Sequence, residues 1–207
     1  MSSTSLQQEF DLLGPETKLR LKQFGALVQK WSTKINLVSR SSVSELQDRH
    51  ILDSLQLFSL RPGGATSWVD LGSGGGFPGM VIAIAAAEAA PDLHVTLLES
   101  DQRKAAFLRN VSRETDVPVT VVAGRIEEAP PLQADMISAR ALAPLNLLCS
   151  YAHRHLNAHG MALFLKGVSV EDEIALARQS WNFDLEQFAS QTDAKAHILR
   201  LKGLSHV

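Results

Sequence analysis

A glycine-rich loop between two mostly apolar runs is the stretch of this sequence best suited to chemistry. Five glycines fall within residues 72–79, after the run 68–71 and before the run 80–87. Glycine adopts positive φ without strain and lets a ligand approach the backbone closely. The first N–H groups of a helix have no partner within the helix and point outwards. The order strand, glycine-rich loop and helix therefore predicts the first unit of a doubly wound α/β sheet, with a ligand bound above the loop.

Two cofactors fit this loop. Residues 74–79 match the G-x-G-x-x-G pattern of dinucleotide-binding loops, and Glu99 follows about 20 residues later. Residues 70–76 form D-x-G-x-G-x-G, which resembles the first motif of class I methyltransferases that use S-adenosylmethionine. In both families the acid that ends the second strand, here Glu99, binds the ribose hydroxyls. Asp70 favours S-adenosylmethionine, because a carboxylate at that point suits the positive methionine part better than a pyrophosphate.

Charged side chains follow the ends of two later strands. Arg125 and Glu127 follow the third predicted strand, where the adenine end of the cofactor is expected, although a solvated turn explains them about as well. Arg140 follows the fourth predicted strand, which in this architecture points at the reacting group. Cys149 lies within an apolar helical pattern and is interpreted as a core residue rather than a nucleophile.

The surroundings of Arg140 predict an acceptor that needs neither an activated amine nor covalent attack. Methyltransferases of exocyclic amines in nucleic acids carry an acid or amide, two prolines and an aromatic residue at this point, and pyrimidine C5 enzymes carry a cysteine. Residues 137–144 contain neither the first of these patterns nor a cysteine. Guanine N7 fits, because its lone pair accepts a methyl group without loss of a proton, and a guanidinium can hold the neighbouring O6.

Length, composition and charge restrict the class of protein. The chain has 207 residues, 45% of them hydrophobic, which suffices for one core with a small additional layer. Neither a membrane span nor a signal peptide is predicted, since no apolar run reaches about 20 residues and the first residues are polar. The single cysteine, Cys149, excludes an internal disulfide and fits a reducing cytoplasm. Because the net charge is −2, contact with a nucleic acid has to depend on a local basic patch. We expect a cytoplasmic monomer.

The elements that position these residues begin with helices. The first starts near Pro15, and its predicted apolar stripe includes Leu19 and Phe24. A short helix is predicted at 42–47 and a longer one at 48–60. Asp48 is the expected N-cap of the longer helix.

A turn after these helices marks the boundary between a helical layer, residues 1–62, and a second domain, residues 63–207. Five strand–helix units follow the turn, and two strand-like runs, 182–189 and 195–202, form a hairpin at the end. This order resembles the class I methyltransferase fold, a Rossmann-like α/β fold with a mostly parallel seven-stranded sheet and an antiparallel C-terminal hairpin. The helical layer packs on that sheet.

A group of histidines is interpreted as structural. His153, His155 and His159 are close in sequence, but no third ligand with zinc-like spacing accompanies them. They are expected to be solvated residues near a helix end, so no metal site is predicted.

Motifs between residues 29 and 167 resemble those of one known family. They are Trp31-x-x-Lys34-x-Asn36-Leu37, Arg49-His50-x-Leu52-Asp53-Ser54-Leu55, the glycine-rich loop of residues 70–79, Leu97-Leu98-Glu99-Ser100 with Arg103-Lys104 and Phe107-Leu108, Arg125-x-Glu127, Arg140-Ala141-x-Ala143-Pro144-Leu145 and Leu165-Lys166-Gly167. In combination they are similar to the bacterial small-subunit (16S) ribosomal RNA guanine-N7 methyltransferases, also called glucose-inhibited division protein B.

The resemblance implies S-adenosylmethionine as cofactor, a guanine N7 of 16S ribosomal RNA as acceptor, and a helical layer on the RNA side. The implied cofactor contacts are Gly72, Gly74, Phe77, Glu99, Ile126, Glu127 and Arg140. The implied catalytic residues are Arg140 and Lys166, and the implied RNA-binding residues are Lys34, Asn36, Arg49 and His50.

Two other functions stay open at this point. One is a methyltransferase for a small metabolite or a protein, with the N-terminal helices as a lid. The other is an NAD-binding oxidoreductase, although 207 residues leave no room for the second domain that such enzymes normally need. The modified guanine, and whether the substrate is free RNA or an assembled subunit, are open as well.

Overall fold

The computed structural model describes Phe10, residues 13–37 and residues 50–207. Within these residues the chain forms seven strands and six helices. The helices are α1 (Pro15–Ser32), α2 (Leu52–Ser59), α3 (Gly79–Ala89), α4 (Gln102–Thr115), α5 (Leu145–His155) and α6 (Val170–Ala177). The strands are β1 (Ser67–Leu71), β2 (His94–Glu99), β3 (Thr120–Ala123), β4 (Ala134–Arg140), β5 (Leu156–Lys166), β6 (Trp181–Ala189) and β7 (His197–His206). None of the described helices is long and apolar enough to cross a membrane.

All seven strands form one sheet, in the order β3-β2-β1-β4-β5-β7-β6. The first five strands in this order are parallel, and β7 is antiparallel to both of its neighbours. The parallel strands end together, since Leu71 pairs with Leu98 and Ala139, and Arg140 pairs with Leu165. We call this end the carboxyl edge of the sheet. The predicted α/β fold with an antiparallel C-terminal hairpin is confirmed.

Helices cover both faces of the sheet. One hydrophobic cluster joins one face to α1–α4, and a second cluster joins the other face to α5 and α6. Helix α3 is buried from Gly79 to Ala86 because it lies between the sheet and the N-terminal helices. Asp101 is the N-cap of helix α4, since its carboxylate accepts the N–H groups of Arg103 and Lys104.

The N-terminal helices share a core with the sheet. Leu21, Phe24 and Val28 of α1 are buried, and the Phe24 ring centroid lies 5.0 Å from that of Phe77. The predicted burial of Leu19 is wrong, since 55% of this side chain is exposed. The predicted helix at 42–47, the cap Asp48 and the start of the helix at 48–60 lie outside the described residues. The domain boundary at 62/63 stays a prediction.

The C-terminal hairpin is fastened to α2 by a buried polar cluster. Asp53 Oδ1 accepts hydrogen bonds from Gln56 Nε2 at 3.1 Å and from Ser190 Oγ at 3.0 Å. Thr192 Oγ1 donates to the same oxygen, and Gln191 N donates to Gln56 Oε1. Asp53 therefore has a structural partner in the segment between β6 and β7.

Candidate active site

The glycine-rich loop connects β1 to α3 at the carboxyl edge. Gly72, Gly74 and Gly76 have φ values of 63°, 54° and 91°, which L-residues rarely adopt. A Cβ added at Gly74 would meet nothing closer than the carbonyl oxygen of Gly72 at 3.7 Å. A Cβ at Gly76 would lie 2.9 Å from the Met80 Cβ. The loop thus presents Gly74 to open space and packs Gly76 against the helix that follows.

A cavity of about 340 Å³ lies above this loop. Five of the predicted cofactor residues line it: Gly72, Gly74, Glu99, Ile126 and Glu127. Lys104, Leu142 and Tyr151 also line it and were not predicted. The cavity therefore brings together the ends of β1, β2 and β3, which the sequence pattern placed at one edge.

Glu99 connects the loop to the start of α4. Its side chain is 6% exposed, Oε2 accepts the Gly74 N–H at 2.7 Å, and Oε1 accepts the Asp101 N–H at 2.8 Å. A carboxylate oxygen can accept more than one hydrogen bond. Glu99 thus fixes the backbone of Gly74 and retains acceptor capacity toward the cavity.

His155 holds the backbone of Ile126, which lines the cavity. Its side chain is fully buried, and Nε2 lies 2.9 Å from the carbonyl oxygen of Ile126. Burial lowers the pKa of His155, against the effect of this hydrogen bond, so the neutral ring donates through Nε2. The prediction that His155 is solvated is wrong. Periodicity could have indicated this burial, because His155 follows Ala152 by about one turn and Cys149 by nearly two, on the buried side of α5.

A second cluster joins Arg140, His50 and Phe77. Arg140 Nη1 lies 2.6 Å from His50 Nδ1, and the guanidinium carbon lies 5.2 Å from the centroid of the Phe77 ring. The His50 and Phe77 centroids are 5.3 Å apart. Since a guanidinium has only donors, His50 Nδ1 has to accept, which places the ring proton on Nε2. The cluster unites one predicted residue each for catalysis, RNA binding and cofactor binding, and neither Phe77 nor Arg140 lines the cavity.

Asp70 lies beneath the loop rather than on the cavity wall. It is fully buried, its Oδ1 accepts from Ser138 Oγ at 2.6 Å, and Ser138 Oγ accepts from Trp68 Nε1 at 2.9 Å. Burial raises the pKa of Asp70 to about 6, although the Ser138 hydrogen bond and the charge of Arg140 oppose the rise. The sequence did not predict the chain of hydrogen bonds from Trp68 through Ser138 to Asp70.

The remaining predicted residues flank these clusters. Lys166 Nζ lies 2.6 Å from Glu173 Oε2 and donates to the Ala143 carbonyl oxygen at 3.0 Å. Lys34 and Asn36 are exposed. Their segment lies on the glycine-rich loop, because a Cβ added at Gly75 would lie 3.0 Å from the Leu37 carbonyl oxygen. Arg49 lies outside the described residues.

Comparison with known proteins identifies the family. A family model described as rRNA small subunit methyltransferase G (GidB) matches residues 17–199. The ribosomal RNA small subunit methyltransferase G of Ruegeria sp. (strain TM1040) is 50% identical over 192 residues, 93% of each chain. The protein of the same name from Cereibacter sphaeroides (strain ATCC 17029 / ATH 2.4.9) is 52% identical over 192 residues, again 93% of each chain. The chain belongs to the rRNA small subunit methyltransferase G family.

Membership in the methyltransferase G family confirms the predicted family and the predicted class of enzyme. A solved structure supports the fold: an O-methyltransferase from Bacillus cereus in complex with SAH matches with a TM-score of 0.61. That match covers 95% of this chain and 96% of the other at 16% sequence identity, so it shows the fold alone. The roles of individual residues in this member of the methyltransferase G family stay predictions.

Proposed function

We propose that this protein transfers a methyl group from S-adenosylmethionine to N7 of a guanine in 16S ribosomal RNA, at the carboxyl edge of the sheet. The proposal depends on the relative position of a cavity and a side-chain cluster. The cavity lined by five predicted cofactor residues adjoins the cluster of Arg140, His50 and Phe77, because Ala141, the neighbour of Arg140, lines the cavity. A site for the cofactor and a site for a nucleobase thereby meet at one edge.

The cavity fits S-adenosylmethionine in volume and in lining. Its volume of about 340 Å³ is within the range of small-molecule pockets. A side chain at Gly74 would occupy space that the protein leaves free. Glu99 offers carboxylate oxygens to a ribose diol, and Ile126 offers apolar surface to an adenine ring. We therefore propose that Gly72, Gly74, Glu99, Ile126 and Glu127 hold the cofactor.

When bound, S-adenosylmethionine supplies an electrophilic methyl group on a positively charged sulfur. Guanine N7 forms the new bond with its own lone pair, the electron pair of the broken carbon–sulfur bond stays on sulfur, and no proton leaves. The chain therefore needs residues that position the base rather than a general base. The cluster of Arg140, His50 and Phe77 at the carboxyl edge suits this requirement.

Arg140 is proposed to hold the target guanine. Its guanidinium can donate to O6, the neighbour of N7, with geometry that a lysine does not reproduce. His50 Nδ1 accepts one N–H of Arg140 and so orients the guanidinium, whose carbon lies 5.2 Å from the centroid of the Phe77 ring. His50 and Phe77 thus hold the Arg140 guanidinium in one orientation before the guanine binds.

The N-terminal layer is proposed to form the RNA side. Lys34 and Asn36 are exposed on a segment that lies on the glycine-rich loop. Their place beside the cofactor cavity suits contact with phosphate and sugar groups of an RNA whose target base is turned into the site. Arg49 is proposed to contribute from the same layer.

The test is to supply the purified protein and S-adenosylmethionine with 16S ribosomal RNA that lacks the modification. Free RNA and assembled small subunits are compared, and 7-methylguanosine is measured by mass spectrometry. Arg140→Ala is expected to lower the rate about 100-fold, as misplacement of a reactant does. Arg113→Ala, an exposed arginine in the last turn of α4, is the matched control and keeps its rate. Unchanged methylation by Arg140→Ala would refute the assignment of the pocket, and a product other than 7-methylguanosine would refute the function.

A further inference from the structure

The loop of residues 141–144, between β4 and α5, forms part of the site and carries backbone strain. Ala141 has a φ of 51°, an unfavourable value for a residue with a side chain. Strained conformations persist only where the surrounding structure holds them. The loop begins directly after Arg140, so whatever holds it also affects where that guanidinium lies.

The near half of this loop forms a wall of the cavity. Ala141 and Leu142 both line it. The tip of Leu142 covers Gly72, because a Cβ added at Gly72 would lie 2.6 Å from Leu142 Cδ1. A displacement of the loop would therefore change the shape of the cavity as well as the position of Arg140.

The far half is held by two side chains from outside the loop. Lys166, at the end of β5, donates to the Ala143 carbonyl oxygen at 3.0 Å. Glu173, in the first turn of α6, accepts the Leu145 N–H on Oε2 at 2.7 Å, and Lys166 Nζ lies 2.6 Å from the same oxygen. The Lys166 side chain is 10% exposed and that of Glu173 is 20% exposed, so water weakens these contacts little.

We propose that Glu173 is a positioning residue of this methyltransferase. With Lys166 it clamps residues 141–144, and the clamp keeps Arg140 and Leu142 in place for base and cofactor. Lys166 then acts through the clamp rather than on the substrate, since its ammonium group is already engaged by Ala143 and Glu173. The inference rests on the proposed function for its consequence in catalysis, but the clamp itself is a property of the free protein.

The test compares Glu173→Gln with Glu171→Gln. Glu171 is exposed in the same turn of α6, so both variants remove one negative charge from the same place. The glutamine at 173 can place its carbonyl oxygen on both the Leu145 N–H and the Lys166 ammonium, and its amide N–H₂ then faces Ser169. Because that oxygen carries no negative charge, both hydrogen bonds become weaker and the ion pair with Lys166 is lost.

Three measurements are expected to separate the variants. Hydrogen exchange of the Leu145 amide in the free protein is expected to be about tenfold faster in Glu173→Gln than in Glu171→Gln. The Kd for S-adenosylhomocysteine is expected to rise and kcat for ribosomal RNA to fall, each about five- to tenfold, with the KM for RNA unchanged. Exchange and kcat equal to those of Glu171→Gln would overturn the proposal.

A double variant decides whether Lys166 and Glu173 act together. If they form one clamp, Lys166→Met with Glu173→Gln lowers kcat about as much as the more severe single variant. If the two effects on kcat multiply instead, Lys166 and Glu173 act independently, and the proposed clamp is refuted. Should Glu173→Gln fail to fold, Lys166→Met alone is compared with Glu171→Gln by the same amide exchange. Absence of methyl transfer by the unchanged protein would refute the proposed function instead, and the exchange result would still decide the clamp.

Discussion

Asp70 makes the stability of this protein depend on pH in an unusual direction. The carboxylate is fully buried beneath the glycine-rich loop, and burial raises its pKa to about 6. The folded protein therefore binds a proton at a pH at which the unfolded chain has released it. This contribution to stability is fully present below pH 3.8 and is lost as the pH rises through about 6.

The magnitude follows from the two pKa values. A rise from 3.8 to about 6 corresponds to about 3 kcal/mol of unfolding free energy. Asp70→Asn removes the titration, although Asn can still accept the hydrogen bond from Ser138. Any effect of the amide on stability that does not depend on pH cancels when two pH values are compared. The stability of Asp70→Asn relative to the unchanged protein is therefore expected to increase by about 2.4 kcal/mol between pH 4 and pH 8, because part of the effect lies below pH 4.

Urea unfolding at pH 4, 5, 6, 7 and 8 measures this difference, and in thermal melts it corresponds to a Tm change of roughly 5–10 °C. Asp92→Asn, at an exposed carboxylate, is the control for loss of one negative charge and is expected to stay within about 0.5 kcal/mol. A difference between Asp70→Asn and the unchanged protein that stays flat across this range would show that burial does not control the Asp70 proton.

Two further predictions concern the loop and the opposite end of the sheet. Gly74→Val is expected to abolish S-adenosylhomocysteine binding in calorimetry while the protein stays folded, because the side chain enters the cavity; the φ of 54° at this position also lowers the Tm. Gly76→Ala is expected to lower the Tm and to keep binding, because its Cβ would lie 2.9 Å from that of Met80 rather than in the cavity; binding lost in Gly76→Ala and kept in Gly74→Val would contradict this assignment of the two glycines. At Asp135, burial raises the pKa, but hydrogen bonds from Thr66, Asn157 and Ser67 lower it more strongly, to about 2. Asp135→Ala is therefore expected to destabilise the protein at pH 7, and urea unfolding should show the deficit shrink as the pH falls from 4 toward 2.

The elements near the glycine-rich loop were predictable because local rules determine them. Positive φ at Gly72, Gly74 and Gly76 requires glycine, and a carboxylate such as Glu99 at the end of a parallel strand meets the neighbouring loop by the geometry of the sheet. Five of the seven predicted cofactor residues line one cavity for this reason. The alternation of strands and helices likewise predicted the order of elements after residue 63.

The residues that sequence patterns missed depend on contacts between distant parts of the chain. Glu173 supports the loop after Arg140 from a separate helix, and Ser138 bonds Asp70 from a neighbouring strand. The wrong prediction for Leu19 has a local cause instead. Three-residue spacing from Phe24 leads to Leu21 on the buried side of α1, whereas Leu19 fits the stripe only approximately.

The polar cluster between α2 and the C-terminal hairpin has a consequence for how the protein matures. Asp53 and Ser190 are 137 positions apart in the chain, and β6, which leads into the segment carrying Ser190, joins the sheet through β7, which lies between β5 and β6. During synthesis this polar anchor of α2 consequently forms only after almost the whole chain has left the translating ribosome. A nascent chain that stops after β5 would contain every residue of the glycine-rich loop, yet it would lack this polar anchor of α2.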